Sequence, residues 1–302
     1  MKKFILCTSI IIILLLGLAL YKLEDLSYWY EHTFNEKNYL KATPNNYYLE
    51  DNFLYVNNHA KNEIFNKSQL MNFIYYFINT GNESINGYCN KKYEDCIKDI
   101  EYVSSEKNQE TLSLLNNFVH PYNSFSKIKI KYNTKGEFTI TNEKLYTDEQ
   151  INTINKIVDE FINTNIDKKN DIRTNLKKIH DFIIDTTDYD KLKATDINDT
   201  TYFSQNAYGV LVEHYGICSG YSDTMAIFLN KLNIPNYKIS NDEHIWNLAF
   251  INGKWLHIDL TWDDPVTDQN VNRDNYFLIT TKELEKQNDD SHGFDKNIFK
   301  EA

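Results

Sequence analysis

The chain opens on an uninterrupted apolar block. After Met1-Lys2-Lys3, the eighteen residues Phe4 to Tyr21 carry no charge, and Ile10 to Leu16 are all aliphatic. At ~1.5 Å per residue such a segment nearly spans the ~30 Å hydrocarbon core of a bilayer. Two lysines before it and Glu24-Asp25 after it orient a membrane anchor over residues 1–22 with the N-terminus inside and everything beyond it outside. The competing expectation is a secreted chain with a cleaved signal peptide, for which Gly17-Leu18-Ala19 supplies small residues. Residues 23–50 show little periodicity and read as a stalk, followed by a short strand at Phe53-Leu54-Tyr55-Val56.

Beyond the stalk the apolar spacing alternates between the helical and the extended period. Leu70, Phe73, Ile74, Phe77 and Ile78 predict a helix with Ser68 as its cap. Ile128, Ile130 and Tyr132, a Thr134-Lys135-Gly136 turn, then Phe138 and Ile140 predict a β-hairpin within Lys127 to Thr141. Thr147-Asp-Glu-Gln150 has the form of a capping box opening a helix with Ile151, Ile154, Val158, Phe161 and Ile162 on one face. A second amphipathic helix carries Ile172, Leu176, Ile179 and Ile183. The polar stretch Asn163 to Asn170 between them divides the chain into a smaller α+β accessory domain at 51–168 and a second domain at 169–302.

Composition narrows the function classes. Against 32 Lys and Arg stand 43 Asp and Glu in 302 residues, a net charge of −11, without a basic block of the kind that tracks phosphates. Nucleic acid is therefore not an expected partner. With 41% hydrophobic and 14% aromatic residues the chain can bury a core, which excludes disorder and disulfide-dependent miniproteins.

Cysteine placement then matters, because an exported domain permits disulfides. Cys7 falls in the apolar block; Cys89 and Cys96, close in sequence, form a candidate local pair, the other reading being two half-buried thiols. That leaves Cys218 alone. It lies in Gly216-Ile-Cys218-Ser-Gly220, directly before an apolar helix through Met225, Phe228, Leu229 and Leu232. At a helix N-terminus the unpaired N–H groups and the dipole favour a thiolate, the nucleophile of acyl transfer. A buried structural cysteine is the plainer alternative.

The next segment bears on that choice. His244 to Ile251, Asn252-Gly253 and Lys254 to Leu260 form a strand, a two-residue turn and a strand. Pairing across that turn sets Asp259 opposite Trp246 and leaves His244 one diagonal away on the same face, within reach of a hydrogen bond. The hairpin thus offers a base and its orienter. His257 rivals His244 as the base, and Asp263 and Asp264 rival Asp259 as the carboxylate. A zinc site from Cys218, His244, His257 and Asp259 lacks a close ligand pair, so no metal and no cofactor is expected. The acids of Asp259 to Asp268 read as solvated turn residues.

Ala207-Tyr-Gly, Gly-Ile-Cys218-Ser-Gly-Tyr, His244-Ile-Trp-Asn and Trp255-Leu-His-Ile-Asp259-Leu-Thr-Trp-Asp-Asp-Pro together resemble the bacterial branch of the transglutaminase-like superfamily, a papain-related group. Lys178-Ile-His180-Asp-Phe-Ile and Asp188-Tyr-Asp190 resemble its lead-in helix and loop, so the likeness covers roughly residues 170 to 280. Ser219 departs from the Glu many relatives carry. The resemblance implies an α+β fold, with a cysteine at a helix N-terminus packed on an antiparallel sheet bearing His and Asp. It implies a Cys218-His244-Asp259 triad, with Gln205 or Tyr208 helping the Cys218 N–H to hold an oxyanion and Trp246 roofing the site. The activity it implies is a cell-surface peptidase or amidase acting on protein or envelope peptides; an amine-accepting cross-linker and a silent scaffold are the competing expectations.

Overall fold

The computed structural model describes residues 61–105, 112, 114–265, 273–287, 289–300 and 302. The expected anchor, stalk and Phe53–Val56 strand lie outside the described residues. Among the described residues no helix is long and apolar enough to cross a membrane.

The described chain begins with β1 (Glu63–Ile64), α1 (Lys67–Asn79), β2 (Ser84–Cys89) and α2 (Cys96–Val103). The cap of α1 is Asn66 rather than Ser68: its side chain accepts the Gln69 N–H, while the Gln69 amide oxygen accepts the Phe65 N–H. Asn and Ser cap about equally well, so the preference falls to whichever stands before the first helical turn. The hairpin follows as β3 (Phe125–Tyr132) and β4 (Glu137–Lys144), and β2, not evident in the periodicity, pairs with β4. The first sheet therefore runs β1-β2-β4-β3. Cys89 and Cys96 are bridged, their Cα atoms 6.0 Å apart, which ties the end of β2 to the start of α2.

Next come α3 (Asp148–Asn165), opened by the Thr147–Gln150 capping box, and α4 (Ile172–Thr186). The short β5 (Asp188–Tyr189) and α5 (Lys191–Thr195) lead to β6 (Tyr215–Gly216), which pairs with β5 and runs straight into α6 (Cys218–Lys231). The second sheet is built from β7 (Asn236–Ser240), β8 (Ile245–Ile251), β9 (Lys254–Ile258) and, after the one-turn α7 (Leu260–Asp263), β10 (Phe277–Ile279). Its order is β10-β9-β8-β7. A one-turn α8 (Thr281–Leu284) follows, and after it come two single 3-10 turns, Glu285–Gln287 and Asp290–His292.

Asn252 and Gly253 both have positive φ, 52° and 79°, the two-residue turn that an Asn-Gly pair favours. It fixes the register Ile251↔Lys254 through Asn247↔Ile258, so each sheet face is set by the turn. On β8, Trp246 and Leu248 enter one core with α1, the first sheet and Phe299. Ala249 and Ile251 enter the other, with α3, α4 and α6. The second sheet is thus covered on both faces, with α6 among the elements on the Ala249 and Ile251 side.

Candidate active site

Cys218 is the first residue of α6 and carries the free thiol among the described cysteines. What brings the chain so close there is Gly220: a Cβ at this position would stand 2.2 Å from the Ser204 carbonyl oxygen. That carbonyl also accepts the Ile217 N–H at 2.9 Å. The turn at 203–206 is therefore packed directly on the first turn of α6, and it carries Gln205. Gln205 and Ser219 border a cavity of about 970 Å³ whose walls also include Lys238, Asn241, Phe294 and Phe299. The Gln205 amide oxygen is buried and has no hydrogen-bond partner among the described residues. Tyr208 instead sets its ring edge-on to Phe203, 5.8 Å between centroids.

His244 stands immediately before β8 and Asp259 immediately after β9, across the register that the turn dictates. The His244 Nε2–H donates to Asp259 Oδ2 at 2.5 Å. Burial alone would push His244 down; the charge and hydrogen bond of Asp259, joined by the Cys218 side chain, outweigh it and lift the imidazole to about 10. Burial would push Asp259 up, but His244 and then His292 bring it down to about 2. Since Nε2 is occupied by the carboxylate, Nδ1 is the ring nitrogen left for the thiol. The other Asp259 oxygen caps α7, accepting the Thr261 and Trp262 N–H groups at 2.9 and 3.2 Å.

The rivals are engaged elsewhere. His257 Nδ1 accepts the Trp246 indole N–H at 3.0 Å and its Nε2 meets Thr281 Oγ1 at 3.0 Å. Burial, then the charge of His292, holds His257 down at about 3, a neutral ring inside the core. Asp263 lies 3.2 Å from His180 Nε2 and accepts the Tyr276 N–H. Asp264 accepts from Tyr221 and Arg273 at 2.7 Å each. The described acids of the 259–268 stretch are thus held by protein donors rather than solvated. Trp246, expected as a roof, is 1% exposed and stacks on His244 at 5.6 Å, so it forms an inner wall. The indole at the surface is Trp262, 37% exposed, 6.4 Å from His244.

His292 was not foreseen. Its Nε2 lies 2.8 Å from the same Asp259 oxygen that receives His244, and its Nδ1 lies 2.6 Å from Asp289. Nothing in the sequence pattern marks it, because it sits in a short turn 33 residues beyond Asp259 with no periodic neighbours. The ring nitrogens of His244 and His292 and the Asp259 oxygen lie within 4.8 Å of one another, but hydrogen bonds among the three already occupy all of these atoms.

Comparison with known proteins finds no matching family model and no matching curated protein. Among solved structures, the chain is similar to one described as a TGase, at 19% identity and a TM-score of 0.32 over 61% of this chain and 52% of that one. It is also similar to a Cytophaga hutchinsonii protein described as a "putative cysteine protease", at 14% identity and a TM-score of 0.28 over 45% of this chain and 61% of that one. The chain thus spans about half to three-fifths of the length of these proteins. Likenesses of this order add no weight to the site, whose reading stands on its own geometry.

Proposed function

We propose that this chain is a thiol acyl-transfer enzyme of the transglutaminase-like and papain-like kind, with Cys218 as nucleophile, His244 as general base and acid, and Asp259 as the group that orients the imidazole. The observation that carries the reading is the buried His244–Asp259 pair at 2.5 Å, set beside a free cysteine that begins a helix. With His244 lifted to about 10, its ring already holds the proton at neutral pH, and Cys218 Sγ, its own proton lodged on His244 Nδ1, adds to a carboxamide or peptide carbonyl. Collapse of the adduct breaks the C–N bond, and the same proton passes to the departing amine. Water, activated by His244, then releases the acid and the free thiol. The negative oxygen of the adduct is met by the Cys218 N–H, one of the first-turn donors without an intrahelical acceptor, and by the Gln205 amide NH₂, whose carbonyl end is the buried one.

The apolar N-terminal segment and the paired Cys89 and Cys96 support a cell-surface setting, with a protein or envelope peptide as substrate and hydrolysis as the outcome. The test uses the full-length chain in detergent. Iodoacetamide should alkylate Cys218 at neutral pH faster than it alkylates free cysteine, and His244→Ala should remove the excess. A Cys218 no faster than the free amino acid sinks the reading. Incorporation of a labelled primary amine into acyl donors, in place of simple release, would reassign the outcome to cross-linking.

A further inference from the structure

The structure places a second imidazole on the orienting carboxylate, supplied by the segment of the chain that follows α8. Asp259 Oδ2 carries two in-plane lone pairs; His244 approaches one and His292 the other, at 2.5 and 2.8 Å. His292 is itself held at both ring nitrogens and at its backbone N–H. Asp289 Oδ1 accepts the His292 N–H at 3.1 Å and meets Nδ1 at 2.6 Å, and the other Asp289 oxygen accepts from the Tyr276 hydroxyl. The Tyr276 ring stacks on His292 at 4.8 Å, while Trp246 and Trp262 each close on it edgewise at 5.0 Å.

The strap that carries His292 is also stitched to the turn that carries His244. Asn241 Oδ1 accepts the His244 N–H at 2.8 Å, and its Nδ2 donates to the Ser291 and Gly293 carbonyls at 2.8 and 2.7 Å. One side chain thereby sets the spacing of the two histidines. Both rings and the carboxylate between them lie at under a tenth of full exposure. Attraction between charges is stronger the less water reaches them, so a group that fills the second lone pair and keeps water from it strengthens the pull of Asp259 on His244.

We infer that His292 is a positioning residue of the Cys218-His244-Asp259 machinery: it locks Asp259 in the orientation that His244 requires and seals the carboxylate from water. The inference rests on the proposed function of the preceding section. The ionisable groups facing His292 are Asp259 and Asp289, which hydrogen-bond it, His244 at 5.3 Å between ring centroids, Tyr276, and His257, whose ring feels its charge. Any pH dependence is therefore read as a difference between variants that leave these groups in place.

The experiment measures alkylation of Cys218 by iodoacetamide against pH in the full-length chain and in its His292→Ala and His292→Gln variants, with thermal melts on each. His292→Ala should slow alkylation at pH 7 by about 10- to 100-fold and move the rate–pH curve to higher pH, the scale of loss that misplacing an orienting group brings. His292→Gln, which keeps an N–H for Asp259 and most of the volume, should recover most of the rate. A merely structural role would lower the melting temperature and leave the curve in place. Wild-type speed and profile in His292→Ala, or a Gln variant as slow as the Ala variant, overturns the inference while Cys218 of the wild type remains fast. A slow wild-type Cys218 instead overturns the triad reading on which it rests.

Discussion

Asp259 has a partner at each position where a carboxylate accepts. Two backbone N–H groups occupy Oδ1 and two imidazoles occupy Oδ2, so the side chain is fixed in rotation as well as in place. This has a consequence for stability. Folding raises His244 from 6.5 to about 10, so its contribution is complete below pH 6.5 and is lost as pH rises through 10. Folding lowers Asp259 from 3.8 to about 2, so its contribution is complete above pH 3.8 and is lost as pH falls through 2. The stability difference between wild type and Asp259→Asn should therefore be greatest between these windows, near pH 5, and shrink toward pH 10 and toward pH 2. Denaturant titration of both proteins across that range checks it, and a difference that does not vary with pH would show that Asp259 acts only as a cap.

At the scale of elements, legibility followed turn length. The Asn252-Gly253 turn admits one register, so the approach of His244 to Asp259 could be computed from residue numbers, and the pairing Leu248↔His257 agrees with that arithmetic. Helix α3 was legible from its capping box and apolar stripe, and α4 from its apolar stripe. The seam between the 203–206 turn and α6 was not, because a turn has no period and the reason for its contact is a missing Cβ. Gly220→Ala tests that seam. With only 2.2 Å available before the Ser204 oxygen, the turn must move, at a cost of about 1–3 kcal/mol, and Gln205 moves with it. Chemical denaturation reads the cost, and turnover should fall with it while iodoacetamide still finds Cys218, since the displaced group serves the oxyanion rather than the thiol. The bridge between β2 and α2 makes a further prediction: without reductant, mass spectrometry should find Cys218 alkylated and Cys89 and Cys96 blocked. Closing so short a loop is worth about 2–3 kcal/mol, so Cys89→Ser should lower stability by that order without slowing Cys218.

Over the whole molecule, the second sheet does two jobs, and the segment after α8 connects them. On one face β8 packs Ala249 and Ile251 against α6; on the other Trp246 and Leu248, on the side that His244 and Asp259 share, join the core that contains α1 and the first sheet. The segment carrying His292 is anchored in that second core by Phe299, which is 1% exposed, 5.7 Å from the Phe118 ring and stacked on Tyr237 at 6.2 Å. Its position was invisible in the sequence because its anchors, Phe299 with Phe294 and Ile298 beside it, stand in an aperiodic stretch. Phe299→Ala should destabilise the protein by about 3–5 kcal/mol, as deletion of a buried aromatic ring does. If the segment positions the site, the same substitution should also slow Cys218 alkylation under conditions where the protein is still folded, although Phe299 touches none of the three proposed catalytic residues. Phe77→Ala is the matched control, for Phe77 is fully buried in the same core but is carried by α1. It should cost about as much stability and leave alkylation unchanged; equal slowing in both variants would mean that the site responds to global stability and that the strap has no particular hold on it.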